Sequence, residues 1–485
     1  MGLSKPMLEP PMAERTPAVL GLDVGTTEAK AALVGLDGRL LGLGRAAYPI
    51  DLGPGGRAEQ DPRLWRAALA EAVSSLAPVS VVGRDAPEIL AICCVAQGPT
   101  LVAVDVAGEP VHSAITWQDR RAGGTGFGLL PKMAWLAREE PEAAARAAWL
   151  LPAWDAMGLW LSGEATSSLQ GHETVPSEAE LAGAGVRASQ VPAARPFGSR
   201  MGSLSAAAAT ALGLRPGIPV VSGVNDGAAS MLGAGLRFAG DAVDTGGTSG
   251  GIAIYADHPV KLPVPGLYQA PAPIPGRWVV GGAMAALGAS VGWLLSAVLG
   301  DRWSPEELFA EAASVPAGAE GLLFLPYLAG ERAPIFDEGA RGAFVGLTLA
   351  HGRPHLVRAV LEGAALAMRH VAEPLAEAGA PVLELRLAGR PSPGDLWARI
   401  KADVLGVPAA IPVVGETAVL GAAIIAAAGV GAMPSLEAGV ASMAAIDRRL
   451  VPDPATRATY DEAYGLYLGL YPALRPLQRT DGQAP

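Results

Sequence analysis

The sequence predicts an α/β protein of two lobes with a cleft between them, and three observations carry that prediction. At 485 residues the chain is too long for a single core. Apolar strand-like runs alternate with helical patterns in both halves, as α/β lobes with central sheets require. Finally, a strand–turn–strand unit, Gly21-Leu-Asp-Val-Gly-Thr-Thr-Glu-Ala-Lys-Ala-Ala-Leu-Val34, has a blurred copy in the second half, Asp244-Thr-Gly-Gly-Thr-Ser-Gly-Gly-Ile-Ala-Ile-Tyr255. In such turns glycine admits an anion close to the backbone, while N–H groups and Thr hydroxyls donate to phosphate oxygens. One copy per half suggests two related lobes gripping a nucleotide's phosphates from opposite sides. Asp23 opens the first turn, placed to hold Mg²⁺ beside those phosphates.

The elements follow in order. A strand pair covers 18–36 and ends at the turn Leu36-Asp-Gly38. Asp61 and Pro62 supply an N-cap and an N1 proline for a helix carrying Leu64, Trp65, Ala68, Leu69 and Val73. Strands follow at 89–95 and 101–105, then an Ala- and Trp-rich helical block over 130–162. The Pro/Gly/Ser-rich segment 170–200 reads as irregular surface. A strand at 218–222 leads into Gly223-Val-Asn-Asp-Gly227 and a helix of small residues, and the lobe boundary falls near 236–243. In the second half, Ser304-Pro305 with Glu307 makes a capping box. From Pro354, the residues Leu356, Val357, Val360, Leu361, Ala364 and Met368 lie on one helical face. The uncharged stretches 278–300 and 417–436 read as buried helices of a large core, and the chain after Leu474 as a frayed tail.

Composition narrows the function. A net charge of −11 and the lack of any Lys/Arg-rich run exclude nucleic acid as a partner. The N-terminus, 1–17, has no apolar segment of the signal-peptide kind, so a cytoplasmic protein with no membrane partner is expected. Cys93 and Cys94 are adjacent on a strand and point to opposite faces, so they read as core residues of a reducing compartment.

Asp226 sits just past an apolar strand in a Gly-flanked turn. It is either a general base at a sheet edge or the cap of the helix that follows, and on local sequence alone the cap is the simpler reading. A longer motif changes that balance. The run from Gly321-Leu-Leu-Phe-Leu-Pro-Tyr-Leu-Ala-Gly-Glu-Arg332 to Gly346-Leu347, continuing through His351, Arg358 and Glu362-Gly363, resembles the signature of the FGGY carbohydrate kinases. The resemblance spans about 18–435 with its motifs in the family order. It implies two actin-like, ribonuclease-H-like lobes that phosphorylate a sugar or polyol with Mg²⁺ and ATP.

By that resemblance Asp226 is the general base and Asp23 the metal-side carboxylate. Thr26, Thr27 and Lys30 belong to the first phosphate loop, and Gly247, Thr248 and Ser249 to the second. Gly288, Gly389 and Arg390 lie toward the nucleotide, while Gln97, Trp117 and Asp119 lie toward the sugar. The implied division is an extension over 1–16, an N-terminal lobe over 17–238, a C-terminal lobe over 239–455, and a C-terminal helix and tail over 456–485. Glu331 and Arg332 read as a structural ion pair.

Three departures bear on activity. Glu28 puts a carboxylate beside the first loop, awkward unless Lys30 or the metal offsets it. Leu387-Ala-Gly-Arg-Pro-Ser-Pro-Gly394 replaces a glycine-rich nucleoside loop, and Arg390 either stacks on the base, reaches a phosphate, or fills the pocket. Gln97-Gly-Pro-Thr100 stands where xylulose kinases carry Gln-Met-His-Gly and glycerol kinases Gln-Arg-Glu-Thr, which disfavours glycerol. A pentulose such as xylulose is the expected acceptor, with another ketose, an aldonate or a polyol as alternatives. A non-catalytic nucleotide- or sugar-binding protein on the same fold is the competing class. A homodimer is the default assembly.

Overall fold

The computed structural model describes residues 16–76, 86–123, 128–168, 176–247, 249–300, 302–389 and 393–478. Thr248, Arg390 and Pro391 therefore lie outside the described residues.

Two sheets share one plan. In the first lobe, β1 (Pro17–Val24), β2 (Glu28–Gly35) and β3 (Leu40–Ala47) form an antiparallel meander, with the helix α1 (Pro62–Ser74) next in the chain. Asp61 caps α1, its side chain accepting from Arg63 N–H, and Trp65, Leu69 and Val73 are buried. The strand β4 (Glu88–Ala96) then runs parallel to β1, and β5 (Pro219–Val221) parallel to β4. The second lobe repeats this. The strands β6 (Asp241–Asp244), β7 (Gly251–Ala256) and β8 (Trp278–Ala283) form the meander, and β9 (Glu384–Leu387) and β10 (Ala409–Pro412) add on parallel beside β6. Both sheets thus read third–second–first–fourth–fifth strand across, with extra strands at their edges.

Three cores result. One lies within the first lobe around Leu20, Leu22, Trp65 and Trp154, and one within the second around Phe324, Leu361 and Tyr460. The third lies between the sheets. It is filled by two helices, α2 (Asp226–Gly233) and α3 (Thr417–Gly429), which follow the fifth strand of each lobe and pack against each other. Although α3 follows the second lobe's last parallel strand, it packs on β1 and β4 of the first lobe. It is apolar all round, as a helix buried on every side must be. At the crossing a Cβ on Gly233 would stand 1.9 Å from Thr417 O, and one on Gly421 1.9 Å from Ala229 O. Only glycine permits that approach.

Several expectations require correction. The stretch 278–300 is not one helix. It begins as β8, passes into a helix at Leu287–Gly292, and ends in a π-helical turn over Trp293–Val298. Paired on both edges and largely buried, β8 reads as an unbroken run of small apolar residues, and such a run carries no period to separate strand from helix. The block 130–162 is likewise interrupted by a strand at Trp149–Pro152. The segment called irregular holds a helix at Glu178–Gly183 whose capping box, Ser177 with Glu180, sits in a stretch of low periodicity. Over 475–478, the described part of the expected tail, the chain is tied down rather than frayed, since Arg341 N–H donates to Gln478 Oε1 at 3.1 Å and Gln478 Nε2 donates to Arg341 O at 2.9 Å. Among the described residues no helix is long and apolar enough to cross a membrane.

The crossing makes a stability prediction. Gly233→Ala places a methyl where the Thr417 carbonyl stands, so it should destabilise the protein by about 2–3 kcal/mol or more, toward the upper end of overpacking costs. Urea denaturation of the variant checks this, and an unchanged midpoint would mean that the helices can separate freely.

Candidate functional site

The parallel strands β1, β4 and β5 end along one sheet edge, where ligand sites of open α/β sheets are built. Gln97 N–H donates to Val24 O at 2.8 Å and Ala96 N–H to Val224 O at 3.4 Å, which binds the three strand-end loops together. Asp23, Gln97 and Asp226 are therefore neighbours in space although far apart in sequence.

Asp226 does not cap α2. That role belongs to Asn225, whose side chain accepts from Ala228 N–H at 2.8 Å, and Asp226 is the first helical residue. Its Oδ1 accepts from Gly227 N–H at 2.8 Å. Burial in the cleft pushes its carboxyl up to about 7, the Asp23 charge adds to this, and Gly227 N–H and Lys30 pull the other way. A carboxylate poised near neutrality can accept a hydroxyl proton.

Asp23 is buried, and burial raises it to about 6; Lys30 opposes the rise while Glu416 and Glu28 add to it. Its Oδ1 has no hydrogen-bond partner. Sheet register places Lys30 opposite Asp23 and Arg45 opposite Lys30. Lys30 Nζ stands 3.9 Å from Asp23, 3.3 Å from Glu28 and 3.0 Å from Glu416, the residue preceding α3. Arg45 pairs with both glutamates, 3.4 Å from Glu28. Burial works against the Lys30 charge, but Asp23, Glu416 and Glu28 outweigh it and raise its pKa. The awkward Glu28 is thus offset by two cations, Lys30 and Arg45. Sequence reasoning missed Arg45 and Glu416, since only the cross-strand register and the fold of α3 onto the first lobe bring them here.

The first phosphate loop is gripped from behind. Tyr48 hydroxyl donates to Gly25 O, Tyr48 N–H donates to Thr27 O at 3.0 Å, and Trp117 Nε1–H donates to Thr26 Oγ1 at 3.0 Å. Trp117, expected toward the sugar, is thereby tied to the turn that holds Thr26. Asp119, expected toward the sugar, has partners within the protein. Its oxygens accept from Ala58 N–H at 2.9 Å, from Arg121 N–H at 3.0 Å and from the Arg121 guanidinium at 2.7 Å, so it anchors its own loop rather than presenting a free carboxylate. Glu331 is buried and accepts from two backbone N–H groups, Ala285 at 2.8 Å and Arg332 at 2.7 Å, a structural role.

In the second lobe, Gly247, Gly288 and Gly389 line one cavity of about 310 Å³. Ser249 adjoins it, its carbonyl accepting from Leu287 N–H at 2.9 Å. Asp244 and Lys401, both buried, pair at 2.5 Å on the cavity wall, and Asp244 also accepts from Gly246 N–H at 3.0 Å, fixing the second loop to the helix Leu396–Leu405. Gly389 N–H donates to Gly415 O at 3.0 Å, one residue before Glu416. That bond ties the rim of the cavity to the residue before Glu416, which in turn pairs with Lys30. A Gly/Thr-type turn in each lobe, a cavity beside the second of them and a carboxylate with a raised pKa beside the first are parts that phosphoryl transfer to a small hydroxylic acceptor would use.

Comparison with known proteins gives the family. Residues 18–129 match the N-terminal domain, and residues 242–430 the C-terminal domain, of the FGGY family of carbohydrate kinases. The chain is 29% identical to the xylulose kinase of Lactococcus lactis over 93% of its own length and 96% of the relative's. It is 31% identical to the glycerol kinase of Alkalilimnicola ehrlichii, covering 87% and 92% of the two chains. The crystal structure of xylulose kinase from Rhodospirillum rubrum superposes with a TM-score of 0.82 at 29% identity, over 95% of this chain and 99% of that one. The chain belongs to the FGGY family of carbohydrate kinases, and it is a phosphotransferase of two actin-like lobes.

A base must be deprotonated to act, so a value of about 7 at Asp226 predicts that kcat/KM for the acceptor falls as pH drops below neutrality. A pH–rate profile at saturating nucleotide checks this statement.

Proposed function

We propose that the protein is an ATP-dependent kinase of a pentulose such as xylulose. The observation that carries this reading is the freedom of Asp226: Asn225 caps the helix, leaving a half-buried carboxylate with a raised pKa beside Asp23 and Lys30. In this role Asp226 takes the proton from the acceptor hydroxyl as the phosphoryl group arrives. Thr26, Thr27, Lys30 and the second loop, Gly247 to Ser249, orient that group and balance its charge. The nucleoside end lies in the cavity of Gly288 and Gly389, and Gln97 and Trp117 face the acceptor.

The buried, partnerless Asp23 Oδ1 fits a cation, and phosphate oxygens and water would complete the shell. Among the described residues no group of three or more His, Cys, Asp or Glu side chains is arranged to hold a metal ion. When bound, Mg²⁺ would neutralise charge on the phosphates.

A different small acceptor, such as another ketose or an aldonate, is favoured by one feature. A Cβ on Gly98 would stand 2.9 Å from the ring of Trp154 and 3.0 Å from Asn225 Cβ. Trp154 thus fills the space that a side chain at position 98 would take in the family's Gln-Met-His-Gly pattern.

A coupled ADP-release screen across pentuloses, hexuloses, aldonates and polyols tests the acceptor, with D-xylulose turnover expected. Asp226→Asn should lower kcat by roughly 10²–10⁴-fold with little change in ATP affinity; near-normal turnover would remove Asp226 from the chemistry. The two phosphate loops belong to different sheets, so sugar and Mg·ATP together should compact the protein more than either alone. An unchanged radius of gyration by small-angle scattering would count against closure.

A further inference from the structure

Two side chains, Gln97 and Gln60, join the loop after β4 to the turn that holds Thr26, and their polarity can be worked out without reference to any ligand. Trp65 Nε1–H donates to Gln60 at 3.1 Å, and an indole nitrogen can only donate, so the Gln60 atom facing it is Oε1. Gln60 Nε2 therefore faces the other way, donating to Thr26 O at 2.7 Å and to Pro49 O at 3.3 Å, both of which can only accept. Gln60 Oε1 also receives the Gln97 amide Nε2–H at 2.7 Å. That leaves Gln97 Oε1, fully buried and without a partner, as the one open end of the chain. A buried acceptor without a donor costs about 1–3 kcal/mol, so any hydroxyl that gains access to it as the surrounding loops move is favoured there.

We propose that Gln60 is a positioning residue that couples acceptor binding to the first phosphate loop, through the chain Gln97–Gln60–Thr26. Resting on the sugar-kinase reading, the chain works as follows. A hydroxyl of the sugar donates to Gln97 Oε1 and fixes the Gln97 amide. That amide holds Gln60 in the orientation in which its NH₂ anchors the Thr26 carbonyl. Thr26 is held a second time through its hydroxyl by Trp117, so its N–H and side chain are presented to the phosphoryl group in one geometry. Polarisation along a connected chain strengthens each bond when the open end is filled. The sugar thereby orders the loop that receives the phosphate, and nucleotide binding is reciprocally favourable to the sugar.

The test measures AMP-PNP binding with Mg²⁺ by calorimetry, with and without D-xylulose. In the natural protein D-xylulose should tighten AMP-PNP by roughly 5–150-fold, the usual range of coupling between sites. Gln60→Met keeps the volume and removes every polar contact, and the ratio should fall below about twofold. Gln60→Glu keeps the acceptor for Trp65 and Gln97 but loses the donor to Thr26 O, and it should lose the coupling as well. It also carries the test if Gln60→Met does not fold. A residue that merely supported the fold would lower the melting temperature and weaken both ligands alike while the ratio stayed at its natural value, and that result overturns the proposal. An absence of coupling in the natural protein overturns it too. Failure of the kinase reading looks different: the natural protein would release no ADP with any acceptor in the panel.

Discussion

The close crossing of α2 and α3 is the constraint on which the rest of the molecule depends. With Gly233 against the Thr417 carbonyl and Gly421 against that of Ala229, two backbones meet without side chains between them. That contact sets how closely the two helices, and the layers they fill between the sheets, approach at their crossing. It also fixes the two helix N-termini, from which Asp226 and Glu416 reach toward Lys30. A bulkier crossing would move these carboxylates apart and dissolve the charge cluster at the first loop.

The cluster is balanced in an unusual way. Three carboxylates, Asp23, Glu28 and Glu416, surround one lysine, and Arg45 relieves the two glutamates. Burial disfavours the charges of Asp23, Lys30 and Glu416 separately, and they persist because they are shared. The Glu416 carboxyl shows the balance: burial would raise its pKa, and Lys30 with Arg45 together hold it below its ordinary value. Any anion that approached Lys30 would have to compete with these carboxylates.

Much of this was legible in the sequence where the signal is local. The Gly–Thr turns, the alternation of strands with helices and the capping boxes of Ser304 and the proline start of α1 are written in consecutive residues. Asp226 was legible as a position but not as a free group, because Asn and Asp cap equally well and only the Asn225 hydrogen bond to Ala228 decides between them. The β8 strand was misread because a run of small apolar residues buried in a sheet has no period to betray it. Glu416, Arg45 and the Asp244–Lys401 pair were invisible for another reason: each owes its place to chain segments brought together by packing, and no spacing along the sequence encodes that.

The two cysteines, adjacent on β4, belong to different cores: Cys93 faces the layer between the lobes and Cys94 the interior of the first lobe. Burial raises both thiols well above their ordinary range, so neither reacts while its own core stays shut. One strand thus carries two silent reporters a single residue apart. Labelling at Cys93 registers a parting of the lobes, and labelling at Cys94 registers the melting of one of them. The molecule contains its own means of telling a breathing motion from a loss of fold.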